Sequence, residues 1–103
     1  MRLEFSPLAE ADIEAIGDYI AQDSPRNASR FIDGLRVQCQ KITLAPMAYV
    51  ARPELGDGVR SCAHKRYVIF FRSETEYIRI ERVLHSAREI HAGLEVDGDP
   101  LDG

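Results

Sequence analysis

Residues 58 to 88 read GVRSCAHKRYVIFFRSETEYIRIERVLHSAR. Five consecutive apolar or aromatic residues, Tyr67-Val68-Ile69-Phe70-Phe71, stand at the centre. The run is rich in β-branched and aromatic side chains and too short for an ordinary helix, so it reads as a strand buried on both faces. Ser73-Glu74-Thr75-Glu76 is a polar break. From Tyr77 to Leu84 apolar character returns, with Ile78 and Ile80 alternating against Arg79 and Glu81. Two strands across a short polar turn form a hairpin, although no Asn-Gly or Asp-Gly pair selects the turn type. Upstream, Gly58-Val59-Arg60-Ser61-Cys62 supplies a third, weaker strand.

Charge is lopsided along the same stretch. Between residues 59 and 92 stand Arg60, Lys65, Arg66, Arg72, Arg79, Arg82 and Arg88 against Glu74, Glu76, Glu81 and Glu89. The whole chain carries a formal net charge of −4. A locally basic sheet in an acidic protein is a candidate surface for an anionic partner; arginine is equally a common way to solvate a strand face.

A chain of 103 residues predicts one domain. The expected boundaries are 1–95 for the domain and 96–103 for an acidic, flexible tail rich in Gly, Asp and Pro. The composition, 45% hydrophobic and 29% charged, is that of a soluble globular protein. No apolar run is long enough for a transmembrane helix, and Met1-Arg2-Leu3-Glu4-Phe5 lacks the apolar core of a signal peptide. A cytoplasmic protein with no membrane partner is expected. Cys39 and Cys62 have no C-x-x-C spacing and read as reduced cysteines, at least one of them in the core.

Toward the N-terminus, Arg2 to Phe5 alternates as a short first strand. Ser6-Pro7 is a helix start, with Ser6 as cap and Pro7 at the first helical position. The helix should run to about Asp23, with Ala9, Ile13, Ile16, Gly17 and Ile20 as its apolar stripe. Ser24-Pro25 repeats the signal and opens a second helix to about Leu44, striped by Ala28, Phe31, Ile32, Leu35, Cys39 and Ile42. The short link between the two predicts a helical hairpin. Residues 46 to 57, with Pro46, Pro53 and Gly56, read as a loop. A short last helix could occupy Ala87 to about Leu94. The order β-α-α-β-β-β gives an α+β domain: a small, mainly antiparallel sheet packed against an N-terminal two-helix hairpin.

Most site chemistry finds no support. His64, His85 and His91 are not spaced as metal ligands, no phosphate-binding glycine loop is present, and no cofactor is expected. One constellation remains. Arg82, His85 and Arg88 gather at the end of the last strand, with Arg60 on a strand expected nearby. Arg with His can bind phosphate or support general acid–base cleavage of RNA. The structural alternative pairs Arg82 with a carboxylate of the first helix and packs His85 at the sheet edge. Arg82 shares the parity of Ile78 and Ile80, so an unbroken strand would aim it at the apolar face, and a bulge would move it.

Taken together, the motifs resemble the RelE/ParE superfamily of small bacterial toxins from type II toxin–antitoxin pairs, and most of all its ParE branch. The likeness spans residues 3 to 91. It is carried by Phe5-Ser6, by Ala9, Asp12, Ile13, Ile16, Tyr19 and Ile20 in an A-x-x-D-L-x-x-I-x-x-Y-I-like pattern, and by Ala28 and Phe31. Gly58-Val59-Arg60 follows. Tyr67-Val68-Ile69-Phe70-Phe71-Arg72 is similar to a Y-x-I-x-Y-R strand, and Arg82-Val83-Leu84-His85-Ser86-Ala87-Arg88-Glu89 to an R-V-L-H-x-x-R-[DE] ending.

The resemblance implies a curved antiparallel sheet with a helical hairpin, neutralised by a cognate antitoxin whose C-terminal segment folds over the toxin. The apolar helix faces and the sheet edge would be its contact surface. It further implies a non-enzymatic inhibitor of DNA gyrase, with no direct sequence-specific nucleic-acid binding. The RelE alternative is a ribosome-dependent mRNA endoribonuclease; a third reading is an antitoxin-binding module without toxicity. Val68 after Tyr67, where RelE-like enzymes commonly carry a basic residue, favours the ParE reading. Arg60, Tyr67, Arg72, Arg82, His85 and Arg88 are the candidate binding residues for target or antitoxin, and no catalytic residue is assigned.

Overall fold

The strand centred on Ile69 is the middle of a five-stranded sheet. A computed structural model describes residues 1–88. The chain runs β1 (Arg2–Phe5), α1 (Pro7–Ala21), α2 (Pro25–Ile42), β2 (Val50–Ala51), β3 (Val59–His64), β4 (Tyr67–Ser73) and β5 (Tyr77–His85). Short 3-10 turns cover Pro46–Ala48, Pro53–Leu55 and Ser86–Arg88. Strand order is β1-β5-β4-β3-β2, antiparallel throughout except that β1 runs parallel to β5. This is the expected α+β architecture. The helix predicted for Ala87 to Leu94 lies outside the described residues beyond its opening turn, and the tail 96–103 lies wholly outside them.

Both helices begin where the Ser-Pro pairs place them. Ser6 Oγ accepts the Ala9 N–H at 2.9 Å and Ser24 Oγ the Asn27 N–H at 3.2 Å. The helical stripes meet Ile69, Phe71, Ile78, Ile80 and Val83 in one core with Ala9, Ile13, Ile16, Leu35, Cys39 and Ile42. The other face of the sheet carries a smaller cluster of Val59, Phe70 and Leu84, covered by Leu55 and Val68. Ile69 and Phe71 thus enter one core and Phe70 the other, which is why five apolar residues follow one another in β4. The 46–57 segment is not simply a loop: Val50 and Ala51 pair with Ser61 and Arg60. Two residues are too few to leave a period-2 signature in sequence.

Where β1 gives way to α1, Ser6 holds both elements. It is buried; its N–H donates to Ile80 O at 2.9 Å and its hydroxyl to Glu81 O at 2.7 Å, while the same oxygen caps α1. Ser6→Ala should therefore lower stability by about 1–3 kcal/mol, by loss of the cap and of a buried carbonyl's partner. Ser24→Ala, at an exposed cap, should cost about 0.5–1 kcal/mol. Thermal unfolding of the two variants makes the comparison, and equal losses would show that the bond to Glu81 contributes nothing.

Candidate functional site

The register of β5 against β4 slips between Phe70 and Phe71: Phe71 faces Ile80 and Phe70 faces Arg82, so Glu81 is the extra residue of a bulge. The slip changes parity. Val83, not Arg82, enters the helix-side core. Arg82 meets α1 instead, with Nε donating to Asp12 Oδ2 at 2.8 Å and Nη2 to Asp12 Oδ1 at 3.0 Å. Asp12 Oδ2 also accepts the Val83 N–H at 2.9 Å. One carboxylate thus satisfies a guanidinium and a backbone donor that the bulge displaces from the ladder. Both side chains of this pair are largely buried, 12% and 14% exposed.

Beside this pair lies a groove of about 690 Å³. Ile16, Tyr19 and Ile20 of α1 and Phe31 of α2 form one wall, and Tyr67, Leu84 and His85 the other. Lys65 and Arg66 sit on the rim. Aromatic contacts line the groove: Phe31 to Tyr67 at 5.4 Å between ring centroids, and Tyr67 edge-on to His85 at 5.3 Å. The second contact follows from register, since Tyr67 and His85 are cross-strand partners. Burial, with Tyr19 nearby, pushes the Tyr67 phenol above its usual pKa, so it remains a hydrogen-bond donor. His85 Nδ1 accepts the Ala87 N–H at 3.1 Å, which leaves the ring proton of the neutral imidazole on Nε2.

The rim is the two-residue turn between β3 and β4. Lys65 holds φ at 57°, a left-handed conformation that costs a non-glycine residue about 1–2 kcal/mol. Arg66 O accepts the Ser86 N–H at 2.8 Å, tying the end of β5 to this turn. Lys65 and Arg66 are both exposed.

The predicted residues therefore divide. Tyr67, Arg82 and His85 come together at the groove, and the Arg88 backbone closes the 3-10 turn just beyond His85. Arg60 does not join them; its Nη1 donates to Tyr49 O at 2.7 Å, beside β2. Arg72 shares the parity of Phe70 on the opposite face, where it donates to Asp57 O and lies 3.5 Å from Glu81 Oε2. The cluster of Arg60 with Arg82 and His85 is thus corrected: strand adjacency brought the backbones near, but a loop carbonyl took the guanidinium. Asp12, Tyr19, Phe31, Lys65 and Arg66 complete the groove without having been singled out as site residues. The consecutive pair Lys65-Arg66 between two strand runs was the available signal for the rim.

Neither cysteine lines the groove. Cys39 and Cys62 are free and buried. Burial pushes the Cys39 thiol up to about 12, with Cys62 adding to the rise, and burial also raises Cys62 although Gln38 donates to its sulfur. Both are core thiols at neutral pH. Among the described residues no group of three or more His, Cys, Asp or Glu could hold a metal ion, and no helix is long and apolar enough to cross a membrane.

A small α+β domain with a helical hairpin over a bulged sheet is the class of protein these observations define. The chain matches, over residues 3–90, the family described as ParE toxin of type II toxin–antitoxin system, parDE, and belongs to it. Among solved structures it is similar to one from a chromosomal ParDE toxin–antitoxin system of P. aeruginosa, with a TM-score of 0.71 and 25% sequence identity over 82% of this chain and 95% of that one. No curated protein matches.

Two outcomes test the site's architecture. Arg82→Ala should destabilise the protein by about 2–4 kcal/mol, because it strands the Asp12 carboxylate; His85→Ala, at a half-buried position, should cost less than about 1 kcal/mol. Denaturant melts that showed the reverse order would mean that the Arg82–Asp12 pair does not hold the helix to the sheet. The second concerns His64, whose Nε2 is buried without a hydrogen-bond partner among the described residues and whose ring packs on Phe31. Burial, then the Lys65 charge, holds its pKa below the usual 6.5. Below that pH the unfolded chain binds a proton the folded protein resists, so stability should fall as pH drops from about 7 toward 5. His64→Phe should flatten this slope, and an unchanged slope would sink the assignment.

Proposed function

We propose that this chain is a toxin that inhibits DNA gyrase by binding rather than by catalysis, and that a cognate antitoxin neutralises it. The observation that carries this reading is the way the arginines are held. RNA cleavage needs basic groups converging on one phosphate and its developing charge. Arg60, Arg72 and Arg82 instead engage separate partners: the Tyr49 carbonyl for the first, Glu81 and the Asp57 carbonyl for the second, and Asp12 for the third. What the groove offers is an apolar and aromatic surface with a basic rim, which suits a protein partner. Membership of the ParE family supports the same reading.

The antitoxin is proposed from the likeness to a ParDE system. Large apolar side chains stand exposed on the helical hairpin, at Leu8, Tyr19 and Val37, and near the β2 edge, at Leu44, Met47 and Val50. An antitoxin segment that folds on binding would cover such a surface. Gyrase as target places the toxin in the cytoplasm, with no membrane partner and no sequence-specific nucleic-acid contact of its own.

Purified protein should inhibit gyrase supercoiling and accumulate gyrase–DNA cleavage complexes while leaving ribosome-programmed mRNA intact. Cut mRNA with unaffected gyrase would reverse the reading and make His85 a catalytic candidate. Tyr67→Ala with His85→Ala should weaken gyrase inhibition at least tenfold with the fold retained. Full inhibition by that double variant would move the target contact away from the groove.

A further inference from the structure

At the groove, three strands set three rings in a row. Tyr67 is the cross-strand partner of His85 on one side and of His64 on the other. Phe31 of α2 packs on two of the three, 5.4 Å from Tyr67 and 5.6 Å from His64 between ring centroids. Phe31, Tyr67 and His85 line the groove, and His64 does not. It stands behind Phe31 at the end of β3, where α2 comes close: a Cβ on Gly34 would lie 3.9 Å from His64 Nε2.

That nitrogen is buried without a hydrogen-bond partner among the described residues. The neighbours of the ring do not suit a cation. From α2 it meets Phe31 and Gly34, and the charged residues next to these in sequence, Arg30, Asp33 and Arg36, are exposed. From β4 it meets Tyr67, whose phenol stays neutral because its own pKa is raised. Within β3 the titratable group on the same face is the Cys62 thiol, also raised and neutral. Lys65, next in the chain, is positive. Among the described residues no carboxylate pairs with His64. A neutral imidazole tolerates such surroundings. An imidazolium donates from both nitrogens, and a buried charge without a partner is far costlier than a buried neutral ring.

We infer that His64 is a proton-operated latch on the groove: the neutral ring holds Phe31 against Tyr67, and a second proton on the imidazole expels the ring, frees Phe31 and loosens the aromatic wall. Burial and the Lys65 charge put this step below the usual 6.5, so the wall is assembled at neutral pH and comes apart in acid. Binding in the groove then weakens as pH falls. That consequence rests on the groove being a partner's contact surface, as proposed above; the latch itself does not.

The test is a pH titration of the full chain, followed through the ring protons of His64, His85, Phe31 and Tyr67. Phe31 is expected to shift with His64 at one midpoint below 6.5, and its nuclear Overhauser contacts to Tyr67 to fade below that midpoint. Gly34→Ala, which adds a methyl at ordinary contact distance from Nε2, should carry the His64 and Phe31 midpoints lower together. His64→Phe and His64→Gln should each abolish the Phe31 titration, and His85→Gln should leave it in place. A Phe31 ring that follows His85, that titrates without His64, or that keeps its Tyr67 contacts after His64 has titrated overturns the latch. Gyrase inhibition reads the consequence. His64→Phe and the unsubstituted chain should be equally potent at about pH 7.5, and the variant at least about threefold more potent at about pH 6. Comparing the two proteins at each pH cancels the pH dependence of gyrase itself. Equal potency at both, with the ring titration present, overturns control of binding by the latch. No inhibition by either protein overturns the gyrase reading instead, and the ring titration alone then decides the latch.

Discussion

The fold turns on how a single extra residue in β5 is accommodated. A bulge leaves backbone groups without ladder partners, and each unsatisfied buried group costs about 1–3 kcal/mol. Here α1 supplies the partners. The Ser6 hydroxyl takes the Glu81 carbonyl, and the Asp12 carboxylate takes the Val83 N–H together with the Arg82 guanidinium. On the other side of the bulge the Glu81 carboxylate, nearly buried, lies 3.5 Å from the Arg72 and 3.4 Å from the Arg79 guanidinium. The slip in register is thereby fixed from both faces of the sheet.

That fixed bulge positions everything at the far end of β5. Because parity changes there, Val83 enters the main core while Leu84 serves the smaller one. His85 is then carried opposite Tyr67, and Tyr67 against Phe31 of α2. An unbroken strand would have driven Arg82 into the apolar core, where a guanidinium without a carboxylate is untenable. Helix, bulge and groove are one construction, and its electrostatics serve folding before they serve any partner.

This explains what could and could not be read in the sequence. Helical stripes, Ser-Pro caps and the apolar run of β4 are local patterns, and all of them appear as expected. The parallel pairing of β1 with β5 is not local; nothing in Arg2 to Phe5 says which strand it will join. The β2 ladder is too short to leave a pattern. For the site, Arg82 and His85 were expected together at the end of the last strand and Tyr67 entered through the family-like strand motif; the hairpin register brings Tyr67 to His85. Arg60 was placed beside them because its strand was expected nearby, and neither strand adjacency nor charge specifies which acceptor Arg60 or Arg72 finds. Their acceptors include the backbone carbonyls of Tyr49 and Asp57, which every residue possesses and no side-chain pattern reveals. Asp12 was visible as part of a family-like helix pattern, but its role required knowing where the bulge would fall.

The division of the arginines bears on how function is to be located in such a domain. A conventional search by alanine substitution ranks residues by lost activity, and here the arginine that binds Asp12 through two nitrogens is also structural. Loss of Arg82 removes the partner of a buried carboxylate at the joint between helix and sheet, so an inactive variant would say nothing about contact with a target. Lys65, Arg66 and Tyr19 are different. They are exposed and line the groove, so changing them alters what a partner meets without removing what the fold stands on. Lys65 in addition keeps a left-handed backbone that glycine would adopt at less cost. A lysine in that conformation puts its charge on the rim of an aromatic groove, and the rim, rather than the arginine cluster, is where recognition can be separated from stability.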